Sequence, residues 1–340
     1  MKDFKKTNSV LAVLGIFVIV MSLVAVLVFT QSVGATKSDV EKDAAASVSG
    51  RRYTYLMLGK DRASGLTDVM MLVSLNTAEK SAAIIQIPRD TYVRYAEKGY
   101  RKFNGALSAL GAEGLCQFVE VNMGVDIDGY FIFDLDTVVK AVDMLGGVEI
   151  NIPDDMYYRD EAQGLDISLK KGYHRLDGKA AEKFVRYRFG YLRGDLGRID
   201  AQKLFISALI KEIKTSLTPA RAIKIASVLL KDIKTNVKLS QISALTFSLF
   251  DIEEKDVLLV TLAGEDIRSE QSGAWYYVLS KSSAQSILSE MFQIDTEFDK
   301  YGVFRNTDNQ SFEKIYFSNV DYEIKTSGDI ADNGIEIEKR

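Results

Sequence analysis

The chain has 340 residues, 43 Lys or Arg against 47 Asp or Glu, a formal net charge of −4, and one Cys, one His and one Trp. One cysteine excludes an intramolecular disulfide and one histidine excludes a two-histidine metal site. The near-balanced charge argues against the broad basic face of a nucleic-acid binder, so no nucleic-acid partner is expected.

Lys2, Lys5 and Lys6 precede an unbroken apolar run, VLAVLGIFVIVMSLVAVLVF, at residues 10–29. A helix of about 20 residues rising ~1.5 Å each spans about 30 Å of hydrocarbon, enough to cross a bilayer once. The lysines place a cytoplasmic tail at 1–9, a transmembrane anchor at 10–30 and everything after it outside the cell: a single-pass protein of the cell membrane. Val33 and Ala35 would suit a signal-peptide cleavage site, but the apolar run is longer than such peptides carry. Residues 31–50, rich in Ser, Ala, Lys and Asp without an apolar period, read as a linker. As a flexible coil it would span about 25 Å and hold the outer part near lipid headgroups.

Tyr53–Leu58, Val69–Leu75 and Ala82–Ile87 are short apolar runs between turn signals, the pattern of buried strands. The loop GKDRASGLTD between the first two sets Asp61 and Asp68 at a sheet edge, where ligands gather in α/β proteins, and Arg89 follows Pro88 at the end of the third. Helical periodicity covers Leu115–Met123 and Leu135–Leu145, then Gly146 and Gly147 turn the chain into a strand at Val148–Ile152. Cys116 reads as a small buried apolar residue and His174 as a loop residue. Phe205, Leu209 and Ile213 share one face of a long amphipathic helix, opposite Lys211 and Lys214. That helix is expected to start just after Asp195–Arg198, where free amides and the helix dipole favour an anion. Pro219 begins another helix, and Trp275–Leu279 and Ala284–Met291 form a closing strand and helix with Trp275 in the core. The chain is therefore read as α/β, a mixed central sheet flanked by helices. It forms one extracytoplasmic domain at 51–293, followed at 294–340 by an acidic extension without an assignable fold.

Divided along the chain, the charge separates into blocks. Residues 51–102 hold ten Lys or Arg against five acids, and 170–203 ten against four, so these segments carry +5 and +6 and the remainder −15. Folding that joins the two blocks would bind an anion locally. Carboxylates such as Asp61 and Asp68 hold hard divalent cations, while Arg89 and the arginines of RYRFGYLRGDLGRIDAQ (186–202) grip phosphate through paired hydrogen bonds. Together they suit a metal-bound diphosphate.

On these residues the chain resembles the LytR-CpsA-Psr family, over roughly residues 53–293. The matching segments are GKDRA (59–63), LTDVMML (66–72), QIPRDT (86–91), KFN (102–104), VDMLGGV (142–148), RYR (186–188) and DLGRIDAQ (195–202), in the family's order. Leu66 and Ala201 stand where the family often has arginine, a charge that Arg62 or Arg193 would have to supply. The resemblance implies a phosphotransferase that moves a glycopolymer, such as teichoic acid or capsule, from a polyprenyl diphosphate carrier onto a peptidoglycan sugar. It implies Mg²⁺ on Asp61 and Asp68, and a diphosphate held by Arg62, Arg89, Lys102, Arg186, Arg188, Arg198 and Gln202. Arg89, Asp195 and Arg198 would act at the reacting phosphorus, and an apolar groove for the prenyl chain is expected beside the helices of 104–145 or 199–231. The alternative is a non-catalytic, membrane-tethered binder of the same lipid-linked polymer.

Overall fold

The computed structural model describes residues 50–337 except 62–64, 96–98, 100, 162–163, 218–220, 222–224, 226–227, 239–240, 243–244, 246–247, 250, 270–271, 294–296, 306–314 and 319–322. The tail, the apolar run at 10–30, the linker up to residue 49, Arg62 and Pro219 lie outside the described residues. Among the described residues no helix is long and apolar enough to cross a membrane.

The three predicted N-terminal strands are present and slightly longer: β1 (Arg52–Lys60), β2 (Thr67–Asn76) and β3 (Ser81–Ile87). They read as continuous apolar runs because both faces are covered. Tyr53, Tyr55 and Met57 of β1 enter one core while Leu56 and Leu58 enter the other. A short hairpin, β4 (Tyr92–Val93) with β5 (Arg101–Lys102), leads into helix α1 (Ala106–Met123), which is broken at Gly111 where φ is 72°. Strand β6 (Gly129–Phe133), helix α2 (Leu135–Leu145) and strand β7 (Val148–Ile152) follow, the last two with the predicted bounds. Asp134 accepts from Thr137 N–H to start α2, and Gly146 (φ 92°) stops it.

Strands β8 (Met156–Asp160), β9 (Leu165–Leu169) and β10 (Gly172–Leu176) form two small ladders, β8 with β9 and β10 with β7. His174 thus sits in a strand opposite Ile150, not in a loop, since its alternating exposed neighbours Tyr173 and Arg175 mark a one-sided ladder. Helices α3 (Gly178–Arg186) and α4 (Asp195–Ser216) come next. Asp143 of the VDMLGGV segment accepts from Gly178 N–H at 2.8 Å, and a Cβ on Gly178 would stand 2.3 Å from Val139 O. That motif is therefore architecture: it ends α2 and locks α3 against it.

The rest of the chain supplies β11 (Lys234–Thr235), β12 (Val257–Thr261), β13 (Gly264–Arg268), β14 (Trp275–Leu279), α5 (Lys281–Phe292), β15 (Ile315–Ser318), β16 (Lys325–Thr326) and α6 (Ser327–Asn333). The main sheet runs β11-β6-β1-β2-β3-β12-β16, with β1/β6 and β3/β12 parallel and the other pairs antiparallel. One core, with α2, α3 and α4, covers one face; the other, with α1 and α5, covers the opposite face. Described parts of the segment 294–340 pack on the main domain. Its β16 pairs with β12 at the sheet edge, and the buried Ile330 of α6 joins the α4 core. Trp275 is 39% exposed at the start of β14 rather than in the core, whereas Cys116 is buried on α1.

Strand direction decides where the site forms. With β2 antiparallel to both β1 and β3, the C-terminal ends of β1 and β3 and the N-terminal end of β2 share one rim. Asp61, Asp68 and Arg89 all leave the sheet there, on the carboxyl side of its parallel strands, where α/β folds place ligands.

Candidate functional site

Four side chains from three elements make one charged ladder. Arg89 Nη1 donates to Asp68 Oδ1 at 2.7 Å, Arg89 Nη2 lies 3.2 Å from Asp195 Oδ1, and Arg198 Nη2 lies 2.9 Å from the same oxygen. The two predicted segments, one on the β2–β3 rim and one at the start of α4, therefore meet. Helix α4 begins at Asp195, a turn earlier than expected, because Gly194 with φ 51° reverses the chain just before it. Gly197 then lets the first turn lie against Tyr191, whose Cβ would be 2.6 Å from a Cβ at that position. This early start puts Asp195 and Arg198 on one helical face towards Arg89.

The IPRDT and KFN segments are stitched together behind the ladder. Thr91 Oγ1 donates to Pro88 O at 2.6 Å, Asn104 N–H donates to Arg89 O at 2.9 Å, and Lys102 Nζ pairs with Asp90 Oδ2 at 2.9 Å. Asp90, unremarked in the sequence although it adjoins Arg89, also lies 3.9 Å from Arg89 Nε. The GKDRA loop closes through Asp61 N–H to Leu66 O and Gly65 N–H to Asp61 O, both 2.9 Å. Leu66 thus contributes its carbonyl to the turn.

The remaining predicted residues spread more widely. Arg188 is exposed, and its charge reaches Asp195 and Arg198. Arg186 pairs with Glu182 at 3.0 Å, one turn back on α3. Gln202, fully enclosed, donates to Val185 O at 3.4 Å and ties α4 to the end of α3. Ala201 is buried in the apolar core, so no charge is missing from the ladder at that position.

Several buried polar atoms in the ladder have no hydrogen-bond partner: Asp68 Oδ2, Arg89 Nε, and Arg198 Nε and Nη1. Arg198 is only 1% exposed. Buried donors and acceptors are rarely left unmatched, so these mark capacity for a ligand. Among the described residues no three His, Cys, Asp or Glu side chains converge as a metal cage. A carboxylate oxygen left free on Asp68, with Asp61 at the same rim, fits a cation whose other ligands are phosphate oxygens.

Burial and charge divide the acids of the site. Burial raises Asp68 to about 6 against the pull of Arg89 and Arg198. Asp195 is held down to about 2, because Arg198 and Arg89 outweigh the burial that opposes ionisation. Burial lowers Arg198 to about 10 despite Asp195, whereas for Arg89 the surrounding carboxylates overcome burial and raise it. Asp266 on β13, which no sequence signal singled out, is raised to about 7 by burial, with Asp195 and Asp90 adding to the rise and Arg193 and Lys102 opposing it. A raised carboxyl keeps its proton in the folded state after the unfolded chain has lost it. Its contribution to stability is thus full below about pH 4 and fades as pH climbs through 6 to 7. Unfolding temperatures are expected to fall between pH 5 and pH 8, and less steeply in Asp266→Asn. Equal slopes in the two proteins would remove Asp266 from this group.

The chain is similar to known proteins in both sequence and fold. The LytR_cpsA_psr family model matches residues 23–293. Regulatory protein MsrR of Staphylococcus aureus (strain COL) is 30% identical over 245 residues, covering 69% of this chain and 73% of that protein. The polyisoprenyl-teichoic acid–peptidoglycan teichoic acid transferase TagV of Bacillus subtilis (strain 168) is 29% identical over 220 residues, 63% of this chain and 56% of TagV. The crystal structure of B. subtilis TagV superposes with a TM-score of 0.62 at 26% identity, covering 73% of this chain and 99% of that one. The structure of TagT bound to LIIa-WTA does so with a TM-score of 0.57 at 27% identity, covering 71% and 90%.

Proposed function

The chain belongs to the LytR-CpsA-Psr family, and we propose that it transfers a cell-wall glycopolymer from a polyprenyl diphosphate carrier to a sugar hydroxyl of peptidoglycan, releasing polyprenyl phosphate. The observation that carries this reading is the buried Asp68–Arg89–Asp195–Arg198 ladder with its unmatched guanidinium and carboxylate atoms. Positively charged forks held at fixed spacing are what a diphosphate requires. The names of the relatives point the same way: TagV is named a teichoic acid transferase, and the TagT structure is of that protein bound to LIIa-WTA.

In this mechanism Arg89 and Arg198 turn their free N–H groups to the diphosphate, with Lys102 and Arg188 adding charge from the rim. Arg62, Arg186 and Gln202 are assigned to the same cradle by sequence. Asp61 and Asp68 would hold Mg²⁺, which would supply neutralisation of the diphosphate charge and polarisation of the phosphorus. The acceptor oxygen forms a bond to the phosphorus that carries the glycan while that phosphorus loses its bond to the oxygen of polyprenyl phosphate. The acceptor proton goes to Asp195. In the free protein Asp195 is a weak base, because two arginines hold it near 2. Diphosphate oxygens that engage those arginines release the carboxylate to meet the hydroxyl, which ties proton transfer to a filled site. The apolar run at 10–30 would anchor the domain beside its lipid substrate, outside the cell.

The test uses full-length protein in detergent with Mg²⁺ and a polyprenyl diphosphate-linked glycan. Release of polyprenyl phosphate is expected only when a peptidoglycan acceptor is added. Tight binding without release in the presence of acceptor would favour the non-catalytic binder, and equal release without acceptor would indicate a hydrolase.

A further inference from the structure

A cavity of about 280 Å³ opens on the neighbouring face of α4. Leu196, Ile199 and Lys203 line it, and on an α-helix they stand roughly 100° around from Asp195, Arg198 and Gln202. Its lining also includes Lys325, Ile330 and Glu336, beyond residue 293 where the family match ends, so one wall is drawn from that segment. The wall thus comes from the part of the chain whose fold the sequence did not disclose. At the other side Arg193 is two residues from Asp195, so the cavity adjoins the ladder without sharing its side chains.

The lining chemistry narrows the ligand. Three cations, Arg193, Lys203 and Lys325, are matched by three acids, Asp200, Glu323 and Glu336. Lys203 pairs with Asp200 at 2.7 Å and Lys325 with Glu323 at 3.1 Å. Such a balanced lining favours neither an anion nor a bare cation. Hydrogen-bonding capacity remains on Arg193, whose Nε and Nη2 are buried without partners, and on Thr261, 6% exposed with its Oγ1 unmatched. Glu336 supplies an exposed acceptor, and Leu196, Ile199 and Leu259 add aliphatic groups to the lining. A lining that is mostly polar, with separate donors and acceptors and a smaller aliphatic part, fits a ring that carries several hydroxyls.

We propose that this cavity seats a neutral sugar ring of the acceptor glycan, delivering the next hydroxyl to Asp195. The assignment to the acceptor, rather than to the donor polymer, rests on the transfer reaction proposed above; the sugar-binding claim does not.

Saturation-transfer NMR on the full-length protein with an N-acetylglucosamine tetramer tests the binding claim without any turnover. Wild-type protein is expected to show saturation transfer to the sugar, and Thr261→Val combined with Glu336→Ala to abolish it. Both positions should tolerate the change, one being close to isosteric and the other exposed, and matching melting temperatures confirm it. In the transfer assay the same variant is expected to raise the acceptor KM about tenfold, the loss of one to two hydrogen bonds, with kcat and the donor KM unchanged. No saturation transfer in the wild type overturns the proposal, and a shift in the donor KM instead reassigns the cavity to the donor. Sugar binding lost in the variant, with no transfer in any protein, would uphold the cavity while sinking the transfer reaction.

Discussion

Arg89→Ala is expected to lower acceptor-dependent release of polyprenyl phosphate by about 10³-fold, the scale seen when a preorganised charge donor is removed from a reacting centre. Arg89 joins both halves of the site, reaching Asp68 at 2.7 Å and Asp195 at 3.2 Å while itself only 5% exposed. The geometry adds a cost, because truncation strands the fully enclosed Asp68 carboxylate. Breaking a buried pair in this way is worth about 3 kcal/mol, although Asp68, already raised to about 6, can recover part of it by taking up a proton. Arg89→Lys separates the two effects. A single ammonium can neutralise Asp68 but cannot bridge two carboxylates and a diphosphate at once, so stability should largely return while transfer does not. Thermal unfolding and the release assay read the two consequences independently. Wild-type turnover in Arg89→Ala would remove this residue from the reaction.

Much of the scaffold was legible because local and global preferences agree. The bounds of α2 and β7 followed from the Gly146–Gly147 turn and an apolar period that the cores then use. β1 to β3 were legible as apolar runs between turn signals, but their shared rim was not, since rim position depends on strand direction and no single segment encodes it. The same limit applied to the site. Asp68, Arg89, Asp195 and Arg198 stood out by charge and order, yet that Arg89 would bridge two acids is a long-range fact. Asp266 was invisible because an acid in an alternating strand ordinarily marks the solvent face, and only the packing of β13 near Arg193 and Asp195 makes it unusual. Gln202 shows a related limit: its place in a charged segment suggested phosphate, while the hydrogen bond from its amide to a carbonyl on α3 had no signal in the sequence. The C-terminal segment was unreadable because β16 has two residues and α6 seven, too short for periodicity, and both are stabilised by partners distant in sequence.

Asp195→Asn tests the other end of the ladder and has a pH signature of its own. The substitution keeps shape but leaves Arg89 and Arg198 facing each other without a charge between them. In the folded protein Asp195 sits near 2, below its ordinary 3.8, which corresponds to a contribution of about 2 kcal/mol above pH 4. Because this carboxyl is depressed, its contribution is present at neutral pH and is lost as the pH falls from about 4 towards 2. The melting temperature of Asp195→Asn is therefore expected to lie well below wild type at pH 7, and the gap to close as the solution is acidified. Transfer should drop by about 10²- to 10⁴-fold at neutral pH, the range for losing a positioned proton acceptor. Diphosphate affinity should move in the opposite direction to turnover: with no carboxylate competing for them, Arg89 and Arg198 are free to hold the lipid head more tightly. A variant that binds the lipid diphosphate as well as or better than wild type, yet fails to pass the glycan on, would place Asp195 at the acceptor hydroxyl. A gap in melting temperature that persists unchanged to pH 2 would show instead that the amide disturbs packing, and that charge at this position does not hold the two arginines together.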